Sequence, residues 1–170
     1  IYDRLVGSEM CIRDRVSVEG QFVSPLAAVG GQVMGVVSDG VSQSVMSFNP
    51  DNLAAAGETE LPAAVTYGPV AAGEYGLIAT ADGSLHGLSG ESDVKWSFPL
   101  NGTYPVGSTL EGDNAFVTLA NGQVLEIKLS EGAIVTTLNI GEPLKGDPLI
   151  QGGILYASGA DGTLYAVGLN

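Results

Sequence analysis

Asp39-Gly40, Asp82-Gly83, Asn121-Gly122 and Asp161-Gly162 recur along this chain at intervals of 43, 39 and 40 residues. Each pair closes a short apolar run: VMGVVS, GLIATA, AFVTLA and LYASGA. A second landmark keeps phase with the first, at Pro25, Pro69, Thr109 and Pro148, which precede the Asp or Asn by 14, 13, 12 and 13 residues. Self-similarity at a period of about 20 to 50 residues marks a repeat architecture and overrides local assignments of secondary structure. Two landmarks in step four times imply that one supersecondary unit is used four times over.

Within a unit the pattern predicts four antiparallel strands. A short apolar strand follows the proline (PLAAV, PVAA, TLEG, PLIQ), and after a turn near glycine a second strand ends at the Asp-Gly or Asn-Gly pair. That pair suits a two-residue type I′ hairpin, which needs positive φ at both central residues. A third strand alternates (SLHGL, QVLEIKL, TLYAV) and places Leu125, Ile127 and Leu129 on one face. A fourth, VKWSFPL or IVTTLNI, follows a glycine-containing loop. Turn residues interrupt the chain every eight to twelve residues or so, with no sustained helical spacing, which is an all-β pattern. Four such strands make a propeller blade. The expected fold is therefore an all-β partial β-propeller of four-stranded antiparallel blades, three full and a partial fourth. The blades are expected at about 21–65, 66–104, 105–143 and 144–170, with 16–20 as the last strand of a preceding blade.

The first residues stand apart from this pattern. Leu5 to Asp14 (LVGSEMCIRD) reads like an in-frame translation of a transposon-based sequencing adapter, so residues 1–15 are expected to be an artefact and the natural sequence to begin near Val16. The chain carries 6 Lys and Arg against 19 Asp and Glu, a net charge of -13. Residues 1–15 hold three of each sign, so the same net charge stays on the remainder, whose cations are Lys95, Lys128 and Lys145. So few basic residues argue against binding nucleic acid or an anionic membrane. Cys11, the single cysteine, lies in the leader. Residues 16–170 therefore have no thiolate for a disulfide, a nucleophile or a metal. No run of about eighteen apolar residues marks a membrane span.

The string GILYASGADGTLYAVGL at 153–169 resembles the repeat of the pyrroloquinoline-quinone-like (PQQ-like) β-propellers, and so does GLIATADGSLHGLSGESDVKW at 76–96. Their repeat core reads apolar-Tyr, four residues, Asp-Gly, one residue, Leu-Tyr-Ala-apolar. The resemblance covers residues 16–170, with the first unit the least similar, and the Thr-Gly that precedes the repeat's tryptophan is met only in part. It implies a quinoprotein-like ring of seven or eight blades, of which this chain is about half. A closed four-bladed ring, with 16–19 completing the last blade, is the alternative.

Each chemistry-bearing residue has a structural explanation beside the functional one. Trp96 matches the repeat tryptophan that packs blade against blade, which the resemblance implies is its role. His86 has no Cys, His or carboxylate at ligand spacing and reads as a packed or rim residue. Asp39, Asp82 and Asp161 have side chains suited to a metal, but Gly40, Gly83 and Gly162 after them make each a turn position. Glu91 and Asp93 read as a solvated loop. Gly30-Gly31 and Gly152-Gly153 read as hairpin turns, since no helix follows to hold a phosphate.

No catalytic, cofactor or metal site is therefore expected, and no cofactor is assigned. The similar quinoprotein dehydrogenases use a vicinal cysteine pair, a tryptophan floor and a calcium site, and residues 16–170 have no cysteine. Three function classes stay open: a non-catalytic scaffold similar to the propeller lipoprotein of bacterial outer-membrane assembly, a sensor or accessory domain of a larger protein, and a piece of a quinoprotein oxidoreductase. The scaffold is preferred. It implies a protein or peptide partner, basic in character, the remaining blades of the same propeller, and an extracytoplasmic location.

Overall fold

The computed structural model describes residues 13–169, and every regular element among them is a β-strand. The first sheet comprises β1 (Gln21–Phe22), β2 (Ala27–Val29), β3 (Gln32–Ser38), β4 (Gln43–Phe48) and β5 (Ala55–Glu60). Both β1 and β2 pair with β3, so they are two halves of one interrupted first strand. The second sheet runs β6 (Val65–Ala72), β7 (Tyr75–Thr80), β8 (Ser84–Ser89), β9 (Val94–Pro99), in that order. The third repeats it with β10 (Pro105–Glu111), β11 (Asn114–Leu119), β12 (Gln123–Lys128) and β13 (Ala133–Asn139). The fourth has three strands, β14 (Leu149–Gln151), β15 (Ile154–Ser158) and β16 (Leu164–Gly168). All pairings are antiparallel.

Strand period explains why the second strands read as unbroken apolar runs. Successive side chains point to opposite faces, so a sheet packed on both sides needs apolar residues at every position. Leu77 of β7 packs towards the third sheet with Val117 and Ile127, whereas its neighbour Ile78 packs towards the first with Met34 and Val45. In β11, Val117 faces the second sheet and Phe116 faces Leu155 of the fourth. The first strands of neighbouring sheets approach one another, β2 with β6, β6 with β10 and β10 with β14. The sheets thus stack like blades about a common side. At the two ends of the stack, Phe22 and Leu26 of the first sheet and Leu149 and Leu164 of the fourth are exposed.

The structure moves the first strand relative to the sequence landmark. In the first three sheets that strand begins four residues before it, Gln21 before Pro25, Val65 before Pro69 and Pro105 before Thr109; in the fourth, β14 follows Pro148, and only an isolated bridge from Leu144 to Gly159 precedes it. Val65, placed at the end of the first unit on sequence, therefore opens the second sheet. Each first strand is broken near the landmark, by residues 23–26, by register shifts between Val65 and Val70 and between Pro105 and Gly107, and by residues 145–148. Proline has no N–H to give a ladder, so it is accommodated where pairing is already interrupted.

Residues 16–20, expected as the last strand of a preceding blade, form no strand. A fourth strand takes its hydrogen bonds from the third strand of its own sheet, and among the described residues no sheet precedes these. The Asp-Gly turns are also not type I′: Gly40, Gly83, Gly122 and Gly162 have φ of 91, 83, 90 and 90°, but Asp39, Asp82, Asn121 and Asp161 are not among the positive-φ residues. In the last three units the glycine N–H donates to the carbonyl three residues back, at Thr80, Leu119 and Gly159. That is the longer hairpin in which an ordinary turn is followed by a left-handed glycine. The expectation that Leu5, Met10 and Ile12 are unpacked lies outside the described residues.

Candidate functional site

The recurring Asp or Asn has a local task in all four units. Oδ1 of Asp39, Asp82, Asn121 and Asp161 accepts a hydrogen bond from the backbone N–H two residues on, at Val41 (2.7 Å), Ser84 (3.1 Å), Gln123 (3.2 Å) and Thr163 (2.9 Å). A short side chain that mimics a backbone turn is why Asp and Asn are interchangeable here. Bonds to the ionised form favour it. The backbone bonds from Ser42 and Val41 hold Asp39 below the usual carboxylate value, the Thr80 hydroxyl lowers Asp82, and the Thr163 N–H lowers Asp161. Among the described residues no group of three or more His, Cys, Asp or Glu side chains gathers as a metal site.

His86 is buried between the first two sheets, and its surroundings include a hydroxyl and a carboxylate. Thr80 Oγ1 lies 2.6 Å from Asp82 Oδ1 and 2.9 Å from His86 Nε2. The order is wrong for a nucleophile. An ionised carboxylate only accepts, so the threonine gives its one proton to Asp82 and must accept from His86 Nε2–H. The base that would activate the hydroxyl is then a donor to it, and among the described residues Nδ1 has no hydrogen-bond partner. Burial lowers the His86 pKa, and the charge of Asp82 offsets only part of that.

Trp96 is held between sheets. Its ring lies against Gly87 of β8 and Gly132 of the β12–β13 loop, where a Cβ on either glycine would overlap the indole. The ring stacks on Phe98 with centroids 5.6 Å apart and 7° between planes, and Nε1 donates to the Leu129 carbonyl at 2.9 Å. Its edge also borders a cavity of about 490 Å³ at the rim, framed by the β2–β3, β6–β7, β8–β9 and β12–β13 loops. Glu74, Glu91 and Glu131 line it, and Gln32 Oε1 and Ser89 Oγ are buried there without hydrogen-bond partners among the described residues. Lys95 lines it too, with Asp93 3.3 Å from its ammonium. Sequence reasoning found Trp96, Glu91 and Asp93 but not Gln32, Glu74 or Ser130. Gln32 opens β3, while Glu74 and Ser130 lie in loops of the second and third sheets, and no spacing along the chain announces that they meet.

Pro25, Pro69 and Pro148 lie in or beside the breaks of the first strands, Pro148 buried, and none of them lines the rim cavity.

Stacked four-stranded antiparallel sheets with their first strands drawn together define a β-propeller segment. No protein-family model matches the sequence, and no curated protein matches it. Among solved structures the chain is similar to BamB from Moraxella catarrhalis, with a TM-score of 0.72, 17% identity, and coverage of 91% of this chain and 48% of that one. It is similar to the computationally designed Ika4 protein at a TM-score of 0.65 and 11% identity, covering 92% of this chain and 100% of that one. The WD40 domain of Toxoplasma gondii coronin matches at 0.62 and 13% identity, over 89% of this chain and 44% of that one. The chain thus spans about half the length of BamB. Identities this low establish the fold alone: a BamB-like propeller architecture.

Proposed function

We propose that this chain is part of a non-catalytic propeller scaffold that binds protein or peptide partners outside the cytoplasm, in the manner implied by its resemblance to the outer-membrane-assembly propellers. One observation carries the reading: the side chains best suited to chemistry are engaged in holding the fold. Asp39, Asp82, Asn121 and Asp161 cap their own turns, His86 donates to Thr80, and Trp96 is bonded to the next sheet. The surfaces left to the solvent are the rim loops with their cavity and the outer strands. Grooves and sheet edges of this kind bind peptides. The exposed faces at Phe22 and Leu26 and at Leu149 and Leu164 are assigned to the remaining blades of the same propeller.

With a net charge of -13 the partner is basic, and association slows as salt rises. Reconstitution of the full-length protein with PQQ and calcium, assayed for alcohol or sugar oxidation, tests the reading. Stoichiometric cofactor binding with turnover overturns it. A protein partner crosslinked at the rim and released by moderate salt, without turnover, supports it.

A further inference from the structure

We propose that β13 is a docking edge at which an extended, basic segment of a partner protein adds to the third sheet as a fifth strand. The proposal rests on the scaffold reading above and names the edge that would serve it. The comparison that points to β13 is internal. β5, β9 and β13 are the last strands of the first three sheets, each paired on one side among the described residues. Each carries a bulge at the same place. The ladder passes from Ala55 to Gly57, from Val94 to Trp96 and from Ile134 to Thr136, leaving Ala56, Lys95 and Val135 as the extra residues.

The three strands differ in how that edge is protected. An outer strand presents a row of free N–H and C=O groups, and proteins guard such rows with charges and proline. Glu58 and Glu60 guard β5, and Lys95 and Pro99 guard β9. The sequence of β13, AIVTTLN, has neither a charge nor a proline. Val135 stands where β9 has its lysine and is 54% exposed, next to Ile134 at 45%. A β-branched run of this kind favours an extended partner on a pleated edge.

Charge selects the occupant. The third sheet and its loops carry Glu111, Asp113, Glu126, Glu131 and Glu142 against a single cation, Lys128, whose ammonium is 2.6 Å from Glu131. A second copy would bring another -13 to the same edge, so self-pairing is opposed. A segment with apolar and threonine residues flanked by Lys or Arg meets both the bare ladder and the acidic surround.

The test uses the full chain and a synthetic octapeptide, Lys-Thr-Ile-Thr-Val-Thr-Ile-Lys. Binding is read by fluorescence anisotropy and located by amide hydrogen exchange. The expected result is protection of the amides of 133–139 and loss of binding when alternate peptide nitrogens on one edge are methylated. V135K, which copies the sibling strand, should weaken binding about tenfold or more while leaving the unfolding midpoint unchanged. Equal binding by V135K, protection confined to another surface, or tighter binding of the same peptide with Glu in place of its two Lys residues overturns the proposal. So does concentration-dependent dimerisation abolished by V135K, which would make a second copy the occupant. Peptide bound at the rim cavity would overturn the β13 site and leave the scaffold reading standing. PQQ-dependent turnover would remove that reading without altering a V135K effect on the peptide.

Discussion

The indole of Trp96 in β9 donates a hydrogen bond to the main-chain oxygen of Leu129, 2.9 Å away on the neighbouring sheet. One side chain thereby joins two sheets by packing and by polarity. Trp96→Phe should retain the stack on Phe98 and leave the Leu129 carbonyl without its partner, costing about 1 to 2 kcal/mol. Trp96→Ala should cost about 3 kcal/mol or more, because the slot between Gly87 and Gly132 is emptied. Urea unfolding midpoints measure both. Equal losses in the two variants would show that the hydrogen bond, not the ring, dominates.

The left-handed glycines should not respond equally to substitution. Each Gly→Ala change at 83, 122 or 162 forces an L-residue into the left-handed region at about 1 to 2 kcal/mol. A Cβ at Gly83 or Gly162 meets no atom within 4 Å, whereas at Gly122 it would lie 2.5 Å from the Glu142 carbonyl oxygen. Gly122→Ala should therefore be clearly the most destabilising of the three by thermal or urea denaturation.

Acid should loosen the turns. The carboxyls of Asp39, Asp82 and Asp161 are lowered in the folded state from an ordinary value of 3.8, so the unfolded chain takes up protons first as pH falls. Their contribution is complete above that value and is lost as pH drops through the depressed folded values. Asn121 makes the same cap without a charge. The triple change D39N, D82N and D161N should therefore keep the neutral-pH midpoint and flatten the stability profile below 3.8. An unchanged acid limb would show that other carboxylates govern it.

His86 works at a higher pH. Burial lowers its folded pKa below the ordinary 6.5, so protonation of the unfolded chain draws stability away as pH falls from that value. The penalty is complete once pH is below the folded pKa. His86→Leu should remove this part of the profile while Thr80 keeps its bond to Asp82. A persistent slope in the variant between neutrality and mild acid would assign it elsewhere.

The exposed ends of the stack should make the chain self-associate more than its charge suggests, because Leu149 and Leu164 lie on a face that other sheets in the stack bury. Replacing both with threonine should reduce the associated fraction in sedimentation measurements without lowering the unfolding midpoint. A monomeric parent chain at high concentration would contradict this.

Local chemistry, written along the chain, determined the period, the strand pattern and the glycine conformations. Gly83, Gly122 and Gly162 were legible because a left-handed turn position accepts few other residues, and Leu77-Ile78 because a doubly packed strand needs both faces apolar. What depended on distant residues was decided by tertiary structure. The start of the first strand four residues before the landmark in the first three sheets rests on pairing across a hairpin. The partner of Trp96 is 33 residues away, and the rim cavity draws its lining from three sheets. The open edge of β13 shows the division most plainly. Its uncharged sequence was readable, but its position as a last strand, with one row of hydrogen-bonding groups unpaired among the described residues, came only from the order in which the strands pair.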